Sequence, residues 1–174
     1  MNYSKEQAIE ILERTPAVLK NLLENISDEW VMNNEGPDTF SPYDVVGHLI
    51  HGEKTDWVVR AKIILVHGVN KPFDPYDRFA QYGESKGKNL DQLLNEFETI
   101  RKENINWLQS IQLTEDDLDR KGKHPVLGEV TLRNLLSTWV VHDLTHIAQI
   151  TRVMAKQYIK EMGPWPQFFR ILQF

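Results

Sequence analysis

Two of the six histidines lie four residues apart, at positions 142 and 146 in the segment VVHDLTHIAQI. In an α-helix this spacing places both imidazoles on one face, one turn apart, where they can bind the same metal ion. The same face carries the apolar residues Leu135, Trp139, Ile150 and Val153. The pattern predicts buried imidazoles, and a metal ion would satisfy a ring nitrogen of each.

The four-residue spacing alone is weak evidence, because a chain with six histidines often contains such a pair by chance. His48, inside the apolar run VVGHLIHGE, strengthens the hypothesis, since facing helices of a bundle can share a metal site. His51 competes as the third ligand, although it could instead support a ligand or contact a substrate. Gly52 indicates either a cavity beside the metal or a close helix crossing. We predict one divalent metal ion bound by His48, His142 and His146.

Three neutral imidazoles would leave at least one coordination position of the ion open, as in catalytic zinc sites. Such an ion can activate water, polarise a carbonyl, or hold a thiol as a thiolate. The chain has no cysteine, so a thiol would have to come from outside. The candidate helper residues are His51, Glu53 and Asp143, each expected to be solvated or to support a ligand rather than to be catalytic.

Hydrophobic residues that recur every three or four positions predict four long helices that position these side chains. They run from Ser4 to Ile26 with a kink at Pro16, from Ser41 to about His67, from Asn89 to Leu108, and from Thr131 to about Lys160. The fold class is therefore all-α, a four-helix bundle formed by a single domain over residues 1–174.

The segments between the predicted helices also contain patterns that predict local structure. The stretch from His67 to Lys88 is rich in glycine, proline and aromatic residues, which favours a functional loop or a long crossover between helices two and three. A short helical turn is expected from Thr114. Residues 124–132 alternate enough to predict a small hairpin, with Gly128 in the turn region.

Aromatic residues also suggest two surfaces. Those near the histidines could line a pocket, although helical spacing more often indicates core: Trp57, Tyr76, Phe79, Tyr82 and Trp139. The group near the C-terminus could cover the end of the bundle or contact a dimer partner: Trp165, Pro166, Phe168 and Phe169.

Composition excludes several classes of protein. The formal charge is −5, and no run of Lys and Arg provides the positive field that nucleic acid binding requires. The absence of cysteine excludes disulfides and suits a reducing compartment. The charged N-terminus does not match a signal peptide, and no stretch is long and apolar enough for a membrane span. We expect a cytoplasmic protein with no nucleic acid or membrane partner.

At the histidines and the segments around them, the sequence resembles the DinB/YfiT-like superfamily of metal-binding four-helix bundles. The matching stretches are FSPYDVVGHLIHGEKTDW at residues 40–57 and GEVTLRNLLSTWVVHDLTHIAQITRVM at residues 128–154. The leading helix with its P-x-x-L pattern at Pro16 to Leu19 agrees as well.

The resemblance implies an antiparallel four-helix bundle with a long crossover between helices two and three, and a homodimer. It also implies a metal on His48, His142 and His146, with zinc as the first candidate and nickel as the second. Its better-defined members are S-transferases and isomerases that use a small thiol such as bacillithiol or mycothiol. We expect a metal-dependent transferase or hydrolase acting on a small molecule, with such a thiol as a candidate partner. One alternative is a non-catalytic, stress-related module whose metal is structural or sensed. Another is a metal-free bundle whose histidines are satisfied by hydrogen bonds.

Overall fold

The computed structural model describes residues 1–173, and within them the chain is mostly helical. The elements are α1 (Lys5–Leu12), α2 (Thr15–Leu23), α3 (Asp28–Met32), α4 (Pro42–Thr55), α5 (Trp57–His67), α6 (Ala80–Ser85), α7 (Leu90–Ser110), α8 (Glu115–Leu118), β1 (Lys121–His124), β2 (Gly128–Thr131) and α9 (Leu132–Lys156). Short 3₁₀ turns cover Gly68–Asn70, Trp165–Phe168 and Arg170–Leu172. The prediction of a predominantly helical chain is confirmed.

The first helical region is divided rather than kinked. Ser4 caps α1 as predicted, its hydroxyl accepting the backbone N–H of Gln7 at 3.3 Å. Pro16 lies in the first turn of α2, where a missing N–H costs nothing. The prediction of one kinked helix from Ser4 is therefore wrong, because the chain ends one helix at Leu12 and begins a second before the proline.

The second helical region is also divided. Ser41 and Asp44 form a capping box at the start of α4. The helix stops at Asp56, whose φ of −104° and ψ of −79° interrupt it before α5 begins. The connection that follows is not wholly irregular, because it contains α6, which packs against α4.

The third and fourth helical regions begin at the predicted residues. Asn89 and Thr131 each form a capping box, at the starts of α7 and α9. Thr114 forms another at the short helix α8, as predicted. The last long helix ends at Lys156, four residues before the predicted Lys160, and turns carry the chain on to Gly163, where φ is 56°.

The predicted hairpin is present and begins earlier than expected, at Lys121. Its strands are antiparallel, with Lys121 opposite Thr131 and His124 opposite Gly128. Gly128 directly follows the turn with a φ of 76°, a conformation that favours glycine.

Buried hydrophobic side chains of the described part form two clusters. The first joins α1, α5, α7 and α9, and includes Leu12, Trp57, Leu108, Leu132 and Trp139. The second joins α2, α4, α7 and α9, and includes Leu19, Leu49, Leu93, Phe97 and Ile150. Each long helix places apolar side chains in at least one of them, so burial of these stripes holds the helices together.

The helices that carry the predicted histidines are in contact. The helix α4 packs against α7 and α9, and α5 packs against α9. This packing brings position 48 towards positions 142 and 146. Within residues 1–173, no helix combines the length and apolar composition needed to cross a membrane.

Candidate metal centre

His48 points into the protein from the middle of α4. Its side chain lies among residues that are almost all buried, and the residue is 8% exposed. The small residue Gly47 lets α6 approach α4 at this level, since a Cβ there would lie 2.5 Å from the Ser85 Oγ. His48 is thereby fixed between the bundle core and the connection that follows α5.

His142 and His146 lie one turn apart on α9 and are half-buried. Their Nε2 atoms are 3.1 Å apart. The apolar residues predicted to share their face, Leu135, Trp139, Ile150 and Val153, are all buried. The predicted core-facing stripe is confirmed.

The three imidazoles meet at one point. The Nε2 atom of His48 lies 3.1 Å from the Nε2 atom of His142. One ligand atom from each of the three histidines lies within 4.8 Å of the others. Nitrogens bound tetrahedrally at ~2.0–2.1 Å are about 3.3 Å apart, so the arrangement fits one small divalent cation after a small adjustment.

Two of the rings are oriented by hydrogen bonds on their far nitrogens. The Nδ1 atom of His146 donates to the Oε1 atom of Gln149 at 2.7 Å, which leaves the Nε2 lone pair free. The Nδ1 atom of His48 lies 3.0 Å from the Tyr76 hydroxyl. When this Nδ1 donates its proton to the hydroxyl oxygen, the Nε2 lone pair of His48 is free as well. Metal-binding histidines commonly have this arrangement.

His142 is held by packing instead. Its ring lies 5.0 Å from that of Trp57. Its Nδ1 atom is buried and has no hydrogen-bond partner among residues 1–173. The position of His142 therefore depends on the neighbouring helix and on its Nε2 contacts.

Burial keeps the rings neutral. It is the main cause that lowers the pKa of His48 to about 3 and that of His142 to about 2, and His146 lowers both further. Burial also lowers the pKa of His146, against the opposing effect of its hydrogen bond to Gln149. Neutral imidazoles are the form that binds metal ions, so the centre is ready for a cation at neutral pH.

Comparison with known proteins agrees with this geometry. A model of the DinB superfamily matches residues 11–150, which is most of the chain. The chain belongs to the DinB superfamily. The family resemblance drawn from the histidine segments is confirmed.

One relative of this DinB-superfamily chain is YfiT of Bacillus subtilis (strain 168). It is 27% identical over 151 residues, which make up 86% of the chain and 83% of YfiT. The solved structure of YfiT from Bacillus subtilis matches at 25% identity with a TM-score of 0.75, covering 90% of this chain and 93% of that chain. That structure is described as a probable metal-dependent hydrolase with an unusual four-helix bundle topology.

His51 is not part of the histidine group of this DinB-superfamily chain. Its Nδ1 atom pairs with the Glu84 carboxylate at 2.9 Å. Its ring lies 5.1 Å from Tyr76, the residue that contacts His48. Of the roles considered for His51, the contacts favour support of a ligand, because it packs against Tyr76.

Glu53 and Asp143, expected either to be solvated or to support a ligand, are both buried. Both pair with Arg101, whose Nη2 atom lies 2.8 Å from a Glu53 oxygen and whose Nη1 atom lies 2.5 Å from an Asp143 oxygen. Glu53 also accepts hydrogen bonds from the Trp139 indole at 2.9 Å and from Asn104 at 2.9 Å. The expectation of solvation is wrong, because a buried cation compensates both carboxylates.

The sequence contained a pattern that could have predicted the buried cluster of Arg101, Glu53 and Asp143. This pattern is separate from the spacing of the histidines. Arg101 occupies an apolar position of α7, in the series Leu94, Phe97, Arg101, Ile105 and Leu108. A cation in the middle of an apolar stripe requires buried anionic partners. Burial alone would lower the pKa of Arg101, but Glu53 and Asp143 raise it above the usual value.

The residues predicted to line a pocket divide into two sets. Trp57 and Trp139 stack in the core, with ring centroids 6.0 Å apart, and the Trp57 indole fills the space beside Gly52. A Cβ at Gly52 would lie 3.3 Å from the Trp57 Nε1 atom, so the glycine gives this indole room. Phe79 and Tyr82 are exposed and lie with Tyr76 in the segment beside His48.

Proposed function

We propose that this chain binds one divalent metal ion through the Nε2 atoms of His48, His142 and His146 and uses it to hydrolyse a small-molecule substrate. The observation that carries the proposal is the convergence of three neutral imidazoles from two helices, with Nε2–Nε2 distances of 3.1 Å. The description of the related YfiT as a probable metal-dependent hydrolase supports the reaction class.

A divalent cation at this position would supply Lewis acidity, which polarises a carbonyl and makes water a stronger nucleophile at neutral pH. The protein contributes the geometry. Gln149 and Tyr76 orient two of the imidazoles, and Trp57 packs against the third.

The neighbouring acids and bases have other partners. Glu53 and Asp143 are paired with Arg101, and His51 is paired with Glu84. Burial raises the pKa of the Tyr76 hydroxyl, which therefore stays protonated and acts as a hydrogen-bond partner rather than as a base. Glu53, Asp143 and the Tyr76 hydroxyl are therefore not free to act as the base in the proposed reaction.

Several finer features belong to the same proposal. They are zinc as the metal with nickel as the second candidate, bacillithiol as a possible co-substrate for S-transfer, a homodimer in the cytoplasm, and an antiparallel bundle with a long crossover. The family resemblance supports the two metals, the thiol, the homodimer and the bundle, whereas the cytoplasmic location rests on the composition of the chain. The absence of cysteine is consistent with a thiol that would come from outside.

The test is a turnover screen with protein loaded separately with zinc, nickel and cobalt. Ester, amide, lactam and thioester substrates are offered, each with and without bacillithiol or glutathione. We expect metal-dependent hydrolysis that is lost in His48→Ala and kept in the control His67→Ala, which alters an exposed histidine. Turnover only with a thiol would favour the transferase, and metal-loaded protein without any turnover would favour a non-catalytic metal module.

A further inference from the structure

Arg78 places a positive charge at the edge of the candidate metal centre. It lies in the segment between α5 and α6, and its guanidinium carbon is 5.5 Å from the ring centroid of Phe40 and 5.0 Å from that of Phe79. Phe40 is buried, and its ring lies 5.6 Å from the ring of His48. One aromatic ring therefore separates the guanidinium from a predicted metal ligand.

Unlike most arginines of this chain, Arg78 has no acidic partner among the residues that the structure describes. Ion pairs with Asp or Glu are formed by Arg60, Arg101, Arg120, Arg133 and Arg152. Within residues 1–173, Arg78 forms neither an ion pair nor a hydrogen bond, and its contacts are with aromatic rings. Its N–H donors are left for another acceptor.

Asp77, the neighbour of Arg78 in sequence, and Asp44 have other hydrogen-bond partners. Asp77 accepts the backbone N–H of Phe79 at 2.9 Å. Asp44 accepts hydrogen bonds from both the backbone and the hydroxyl of Ser41 in the capping box of α4. The positive charge of Arg78 is thus not compensated by a contact from either of them.

The aromatic rings also restrict where the guanidinium can move. Phe79 stacks on Tyr82 with ring centroids 6.2 Å apart, and Tyr82 makes an edge contact with Phe40 at 6.0 Å. The three rings form one cluster, and Arg78 contacts two of them. A guanidinium held in this way loses less conformational freedom on binding a ligand than a free arginine does.

We infer that Arg78 binds an anionic group of the substrate, a carboxylate or a phosphate, while another part of the same molecule reaches the three histidines. The planar guanidinium suits both oxyanions, because it can donate two parallel N–H bonds. The inference rests on the proposed function, since it assumes that a ligand occupies that centre.

The test measures binding of metal-directed probes to the cobalt-loaded protein by calorimetry and by the visible spectrum of cobalt. The anionic probes are the monohydroxamates of malonic, succinic and glutaric acid, and phosphonoacetohydroxamate carries a phosphonate instead. The neutral controls are the same three monohydroxamates with the remaining carboxylate converted to its methyl ester. We expect at least one anionic probe to bind about 10-fold more tightly than its neutral control, as a charge-assisted hydrogen bond allows.

Arg78→Gln should remove this preference and leave binding of the neutral esters and the cobalt content unchanged. Arg14→Gln, which removes an exposed arginine bonded to the Glu10 carbonyl, should keep the preference. Equal binding of anionic and neutral probes would overturn this inference but not the proposed function. A preference that survives in Arg78→Gln would do the same. Protein that takes up no cobalt would overturn the proposed function and this inference with it.

Discussion

Gln149 and Tyr76 act at the scale of single residues by deciding which ring nitrogen faces the centre. Each contacts an Nδ1 atom, at 2.7 Å on His146 and 3.0 Å on His48. Such partners fix the tautomer and the orientation of an imidazole without touching the metal. They are positioning residues for the proposed metal site.

Gln149→Leu is therefore expected to weaken metal binding by about 10- to 100-fold while the three histidines remain. The physical reason is loss of the acceptor that holds the His146 Nδ1 proton. Metal affinity is measured by competition with a chromophoric chelator. The matched control, Gln109→Leu, removes an exposed glutamine paired with Glu13 and should leave the affinity unchanged. Equal affinities for the two variants would contradict the positioning role.

A second prediction at this scale concerns pH. In the metal-free protein, burial keeps the pKa of His48 near 3 and that of His142 near 2, whereas in the unfolded chain both rings take up protons below about pH 6.5. The unfolded state binds more protons, so the free energy of unfolding should fall by about 1 kcal/mol per pH unit for each ring between pH 6 and pH 5. Denaturant unfolding at several pH values tests this. Stability that does not change between pH 7 and pH 5 would show that the rings are not buried as described.

The three histidines could be predicted from the sequence because metal ligands have few residue types and a fixed helical spacing. Gln149 could have been found as well, since it lies three residues after His146 on the same face. Tyr76 could not be assigned to His48, because its position depends on how the segment after α5 folds back. Contacts between distant segments leave no periodic pattern.

Arg101 connects several elements of the fold. Its guanidinium contacts the Leu12 carbonyl at the end of α1, Glu53 on α4 and Asp143 on α9. It also lies 4.8 Å from the Phe97 ring and 5.4 Å from the Trp139 ring, which belong to the two different core clusters. The helices that carry the histidines are thus joined to α7 by one buried ion pair network.

Arg101→Met should lower the free energy of unfolding by about 3–5 kcal/mol, because it leaves two buried carboxylates without a cation. Chemical denaturation of the metal-free protein provides the measurement. In the control Arg133→Met, which breaks ion pairs with the exposed Glu115 and Asp119, the loss should be much smaller, because solvent screens these pairs. A loss at Arg101 no larger than that at Arg133 would refute the structural role of the network.

Helix starts were more predictable than helix continuity. Ser4, Ser41, Asn89, Thr114 and Thr131 all cap helices, because a capping side chain acts on its own first turn. The interruptions near Glu13 and at Asp56 were not predicted, since the apolar stripe continues across both. Such breaks arise from how two helices pack against the rest of the bundle.

At the scale of the whole molecule, the C-terminal aromatics are candidates for an intermolecular contact. Trp165 is 61% exposed and Phe168 is 70% exposed, so neither covers the end of the bundle in the single chain. Large apolar side chains grouped on a surface commonly mark an interface. Together with the homodimer implied by the family resemblance, this favours a second copy of the chain as the partner.

Light scattering after gel filtration should accordingly give twice the mass of the chain. The double variant Trp165→Glu, Phe168→Glu should shift the protein to a monomer, because charges would be buried in the contact. Val126→Glu, at an exposed apolar residue of the hairpin turn, should remain dimeric. A monomeric parent protein would refute the predicted dimer.

The most direct test of the central claim is the metal content of the purified protein after dialysis against zinc, measured by elemental analysis. The account predicts one ion per chain in the parent protein and in the controls His67→Ala and His124→Ala. It predicts loss of the ion in His48→Ala, His142→Ala and His146→Ala, since each removes one of the converging Nε2 atoms. A parent protein without bound metal, or a full complement in His48→Ala, would contradict it.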